Sequence, residues 1–161
     1  MSPVVHKAPN GGSGAEAGRT GIKMSMAIEL PRDRASVPTV RHLAARSLTE
    51  LGVVEEIVDD VEIALSEVCT NVVDHAEFGD FYEVQISVRD DDCQIRVIDS
   101  GQGFDVEARV ESGPTVQSER GRGLLIVRAV MDQVGLESRR DQGTLVTLAK
   151  HLEFGSSLDR F

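Results

Sequence analysis

Two hydrophobic rhythms alternate along the chain. Met24, Met26, Ile28 and Leu30 alternate with polar or small residues, the period-two signature of a half-buried strand that Pro31 ends. A helical stripe follows: Ser36 offers an N-cap, Val37, Val40, Ala44, Ser47/Leu48 and Leu51 recur at helical spacing, and Gly52 stops the run. A longer helix is expected over 54–77, where Val54, Ile57/Val58, Val61, Ala64/Leu65, Val68 and Val72 form one apolar stripe. Period two then returns. Tyr82, Val84, Ile86 and Val88 make one strand, "DDD" at 90–92 turns the chain, and Cys93, Ile95 and Val97 carry a second strand back. Residues 104–120 hold no firm period and lead into "GRGLLIVRAVMD", read as a helix over 121–131 that opens on glycines. Two last strands, about 133–139 and 144–149, are separated by "DQG".

The order β-α-α-β-β-loop-α-β-β predicts an α/β two-layer sandwich: one mixed, mostly antiparallel sheet whose apolar face is covered by helices. Residues 1–21 are rich in Gly, Pro, Ser and Ala without period and read as a flexible tail. The folded domain is expected over 22–150, with a short tail over 151–161.

One residue breaks the strand pattern. Period-two counting places Asp99 on the same inward face as Ile95 and Val97. An unpaired buried carboxylate costs several kcal/mol, on the order of a domain's whole stability margin. Asp99 therefore either caps a turn or awaits a partner.

Charge narrows the partners. The 161 residues carry 17 Lys+Arg against 27 Asp+Glu, a formal net charge of −10. Such a surface repels phosphate backbones and anionic lipid, so neither nucleic acid nor membrane is expected as a direct partner. Cys69 and Cys93, the two cysteines, each fall within an apolar pattern and read as small buried hydrophobes. No stretch approaches the roughly 20 apolar residues of a membrane span, and the expected compartment is the cytoplasm.

Four short motifs carry the chemistry. "SEVCTNVVDHA" sets Glu67 and Asn71 one turn apart along an edge of the second helix's stripe, with Asp74 and His75 continuing the line. "DSGQGF" is Asp99-x-Gly101-x-Gly103, "GRGLLIV" holds Gly121 and Gly123, and "QGT" ends on Thr144. Each alone is weak, since such turns and exposed pairs are common. In this order and on these elements, they resemble the nucleotide-binding boxes of the GHKL ATPase superfamily, the gyrase, heat-shock chaperone and histidine-kinase type. A P-loop pattern is absent, and "GRGLLI" lacks the third glycine of a dinucleotide fingerprint.

The resemblance implies ATP and Mg²⁺. Asn71 would give Mg²⁺ a neutral oxygen ligand, leaving its other positions to phosphate and water. Glu67 would orient or deprotonate the nucleophile. Asp99 would accept a hydrogen bond from the adenine amino group, with Gly101 and Gly103 letting the backbone lie close to the base. Amides at the start of the helix containing Gly121 and Gly123 would face phosphate, with Arg120 and Arg122 nearby, and Thr144 would sit beside the adenine.

The resemblance covers about residues 24–150 and, given the chain's small size, is strongest to the bacterial anti-sigma factor and serine-protein kinase family. Membership would imply binding of a sigma factor, ATP-dependent phosphorylation of a serine on an anti-anti-sigma factor, and a homodimer. Arg41 and Arg46, on the outer face of the first helix, read either as a solvated face or as a partner contact; family resemblance implies the latter. Two alternatives stay open: a nucleotide-binding regulatory module without kinase activity, and a separated ATPase domain of a histidine kinase. The second would need a phosphoacceptor histidine on a helical hairpin, which neither His42 nor His75 has.

Overall fold

The structure, a computed structural model, describes residues 21–74, 79–99, 118–139 and 143–156. Strands β1 (Lys23–Pro31), β2 (Phe81–Arg89), β3 (Asp92–Asp99), β4 (Gln133–Arg139) and β5 (Gly143–His151) form one sheet in the order β1-β2-β3-β5-β4. Every pairing is antiparallel, so the expected mixed, mostly antiparallel sheet is realised with no parallel pair among the described strands. Helices α1 (Ser36–Leu51), α2 (Glu55–Asp74) and α3 (Ser118–Val130) complete the α/β sandwich.

The two rhythms meet in the core. Val84, Ile86, Val88, Ile95, Val97 and Leu148 from the sheet pack with Val40, Leu48, Val61 and Leu65 from the helices, all at most 2% exposed. Alternation along β2 and β3 leaves Glu83, Gln85, Arg96 and their neighbours on the other face. Cys69 and Cys93 are free and buried, as their patterns predict. Among the described residues, no helix is long and apolar enough to cross a membrane.

Helix boundaries depart from expectation at two places. The N-cap of α1 is Ala35, without a side-chain cap, and Ser36 is already helical. The Ser36 hydroxyl is buried instead, bonded to the Asp33 carbonyl at 2.7 Å and the Tyr82 hydroxyl at 2.8 Å, so a tertiary contact has claimed the capping group. At the other end Gly52 stops α1 as expected: it adopts the left-handed conformation at φ 89°, and its N–H donates to the carbonyls of Leu48 and Thr49. The described part of α2 ends at Asp74, and the last residues of the expected 54–77 helix lie outside the described residues. Helix α3 starts at Ser118, three residues before the glycines expected to open it.

One polar clamp ties the layers together. The Lys150 ammonium, only 10% exposed, donates to Asp60 Oδ2 on α2 at 2.8 Å and to the Val130 carbonyl at the end of α3 at 2.6 Å. Leu152 is buried beyond β5, and Phe154 bridges to Val53 at the α1–α2 junction.

Candidate functional site

Strand register builds the floor of the site. Leu30 pairs with Tyr82, Tyr82 with Asp99, Asp99 with Thr144, and Thr144 with Ser138. These five residues form one row across the sheet, and residues directly opposite on antiparallel strands share a face. Asp99 and Thr144 are thus neighbours although 45 positions apart in sequence. Thr144 is buried, and its hydroxyl lies 3.3 Å from that of Ser138.

Helix α2 delivers its C-terminal end to this row, because only residues 75–80 separate it from β2. Tyr82 marks the junction: it is 2% exposed, and its hydroxyl bonds Ser36 of α1. Burial pushes the Tyr82 phenol up to about 12, with the Ser36 hydrogen bond working against the shift. Burial likewise pushes both thiols to about 12, so neither cysteine is a thiolate at neutral pH.

Glu67 and Asn71 lie one turn apart on α2, both half-buried, and α3 packs against them. The contact passes through Gly123. A Cβ there would lie 2.7 Å from Glu67 Oε2 and 3.6 Å from Asn71 Nδ2, so any side chain at this position would press the Glu67 carboxylate out of its place. Gly121 is different: it is exposed, and a Cβ there would meet nothing within 4 Å. Neither glycine opens the helix, which begins at Ser118. Gly121 lies in the turn beginning at Ser118, while Gly123 lies further inside the helix at a packing position. Arg122 is exposed.

Asp99 has a counter-charge that the sequence pattern did not reveal. The Arg32 guanidinium, on the turn after β1, forms an ion pair with Asp99 Oδ1, and the two side chains are 4% and 13% exposed. Desolvation lowers the pKa of Arg32 from the ordinary arginine value while Asp80 opposes the change, and arginine remains a cation. The same turn sends Arg34 to Asp74, the last described residue of α2, at 3.0 Å. Arg32 and Ser138 are site residues that sequence reasoning missed, because neither belongs to a recognisable motif.

The two helix cations differ. Arg41 is half-buried and reaches Glu62 of α2 at 3.6 Å, whereas Arg46 is exposed. A groove of about 490 Å³ between α1 and α2, lined by Arg41, Asp59, Glu62, Ile63, Ser66 and Glu67, joins Arg41 to the Glu67 edge. Gly101, Gly103 and His75 lie outside the described residues.

This donor set fits a nucleotide with a hard divalent cation. A carboxylate and an amide stand one turn apart on α2, a helix N-terminus packs beside them, and a carboxylate–hydroxyl pair lies on the sheet floor. Comparison with known proteins agrees. Residues 30–150 match the family model described as a histidine kinase-like ATPase domain. A serine-protein kinase RsbW from Halalkalibacterium halodurans is 33% identical over 135 residues, covering 78% of this chain and 82% of the relative. The protein of that name from Bacillus licheniformis is 35% identical over 137 residues, covering 78% and 84%. A crystal structure of RsbU and RsbW domains from Mycobacterium tuberculosis superposes with a TM-score of 0.63 at 23% identity, covering 80% of this chain and 32% of that one, and supports the fold. With the fold, the glycine-mediated helix contact and the sequence relationships in agreement, the chain belongs to the histidine kinase-like ATPase domain family, among relatives of the RsbW type.

Proposed function

We propose that this protein is an ATP-dependent serine-protein kinase and anti-sigma factor: it binds a sigma factor and phosphorylates a serine on an anti-anti-sigma partner. The observation that carries the reading is the edge of α2 where Glu67 and Asn71 meet Gly123 of α3, one turn from each other and 2.7 Å and 3.6 Å from that glycine's Cβ position. The serine-protein kinase names of the relatives support it.

Each residue has a defined task. Glu67 takes the proton of the acceptor serine as its Oγ bonds to the γ-phosphorus, while the bond to the β-phosphate oxygen breaks and ADP leaves with that electron pair. Asn71 offers its amide oxygen to Mg²⁺, which when bound neutralises charge on the phosphates. Asp99 accepts from the adenine amino group, and Thr144 flanks it. Gly101 and Gly103, next in sequence after Asp99, are assigned to the same subsite by the family resemblance. The N-terminal turn of α3, with Gly121, faces the phosphates. Arg41 and Arg46 engage the protein partners from α1, and the groove joining Arg41 to Glu67 is consistent with an acceptor approaching from that side. The protein works as a homodimer in the cytoplasm.

The test uses proteins recovered with this chain from its native cells, with and without ATP. Label from γ-labelled ATP is expected on a serine of a small co-purifying partner, and a sigma factor is expected in the same pull-down. Binding of ATP and a sigma factor with no label on any partner would leave a regulatory binding module without kinase activity.

A further inference from the structure

Arg32 is built into the site more firmly than a surface cation. Its backbone N–H donates to the Asp80 carbonyl at 2.9 Å, and its Nε donates to the Phe81 carbonyl at 3.4 Å. Its Nη2 reaches past the start of β2 to Asp99 Oδ1 on β3. Gly79 faces the guanidinium: a Cβ there would lie 3.4 Å from Nη2, and φ of +96° disfavours any side chain. With 4% of its side chain exposed, Arg32 is held from the backbone, from Gly79 and from Asp99 together.

This arrangement serves the carboxylate in two ways. A carboxylate buried without a partner costs several kcal/mol and is prone to protonation, and a neighbouring guanidinium keeps it charged. The terminal torsion of aspartate is also broad, so an unpartnered carboxylate at this position is free to turn. A planar guanidinium fixed at its far end restricts that turning, which a compact ammonium on a flexible stem does less well.

Resting on the proposed adenine role of Asp99, we infer that Arg32 is a positioning residue for base recognition: it holds the Asp99 carboxylate charged and oriented for the exocyclic amino group. Arg32 acts through Asp99 and does not itself read the base. Selectivity for a 6-amino purine therefore depends on a residue in the β1–α1 turn, 67 positions before the carboxylate it serves.

The test is equilibrium binding by the full chain of ATP and of purine riboside triphosphate, which lacks the 6-amino group. Wild type is expected to prefer ATP by about tenfold or more, the worth of a hydrogen bond to a charged group. Arg32→Met is expected to lose most of that preference, binding ATP about tenfold more weakly and the analogue within about twofold of wild type. Arg32→Lys is expected to fall between them, and serves alone if the methionine variant does not fold. Equal weakening towards both nucleotides would assign Arg32 a structural role and overturn the inference. Tighter ATP binding by Arg32→Met would make Arg32 a competitor of the base and overturn it too, as would wild-type selectivity in Arg32→Lys when the methionine variant cannot be measured. Asp99→Asn separates the two levels. If its selectivity stays at the wild-type value, the adenine role of Asp99 fails. If Asp99→Asn loses selectivity while Arg32→Met keeps it, only the role of Arg32 fails.

Discussion

Gly123→Ala isolates the contact on which the catalytic reading depends. The added Cβ would lie 2.7 Å from Glu67 Oε2, and restoring the 3.4 Å of ordinary van der Waals contact requires about 0.7 Å of movement. The obstructing atom is the tip of a flexible side chain, so the carboxylate yields rather than the helix packing. Asn71 at 3.6 Å is already at ordinary contact distance and stays in place. A displacement approaching 1 Å at a catalytic group costs on the order of 10²-fold in rate, so transfer to the acceptor serine should fall roughly 10- to 10²-fold. Stability should move the other way, since alanine in place of a helical glycine contributes up to about 1 kcal/mol. Gly121→Ala, whose Cβ meets open space, should give a similar helix gain without pressing on Glu67. Single-turnover transfer from γ-labelled ATP, a nucleotide titration and a thermal melt on the same preparations provide the readouts. Wild-type transfer by a well-folded Gly123→Ala protein would refute the claim that Glu67 must occupy its observed position.

Further outcomes concern the frame around the site. Lys150→Met leaves Asp60 and the Val130 carbonyl without the ammonium and should lower stability by about 1–3 kcal/mol in urea denaturation. Tyr82→Phe removes one hydroxyl from the buried bond to Ser36, which keeps the Asp33 carbonyl, and should destabilise by about 1 kcal/mol in the same assay. Cys69 and Cys93 are raised from 9.0 to about 12 by burial, so the unfolded chain releases these protons first. Their contribution is fully present below about pH 9 and is lost as pH rises towards 12; the urea midpoint should fall between pH 8 and pH 10.5, and a constant midpoint would contradict the burial of the thiols.

What could be read in advance was set by local periodicity. The period-two patterns of β2 and β3 place Tyr82, Val97 and Asp99 on one face, and the register then puts Asp99 opposite Tyr82. The helical stripe of α2 likewise places Glu67 and Asn71 along one edge. Contacts between distant segments left no such trace. Ser36 had the chemistry of a cap, but Tyr82 and Asp33 hold its hydroxyl. The glycines at 121 and 123 suggested a helix start, yet Gly123 is explained by the approach of Glu67 from another helix. Arg32 gave no signal because its partner Asp99 lies on a different strand, and the ion pair emerges only when β1, β2 and β3 lie side by side. The structure thereby answers half of the question raised by Asp99: the Arg32 guanidinium forms an ion pair with it.

The most direct test of the central claim is label transfer by Glu67→Ala, measured beside ATP binding on the same protein. Asn71, Asp99 and the sheet floor remain in this variant, so ATP affinity should stay within a few-fold of wild type. Transfer to the acceptor serine should fall by roughly 10²-fold or more through loss of the base. Asn71→Ala provides the contrast, lowering Mg²⁺-dependent binding and transfer together. Wild-type transfer rates from Glu67→Ala would contradict the assignment of Glu67 as the base that serves the acceptor serine.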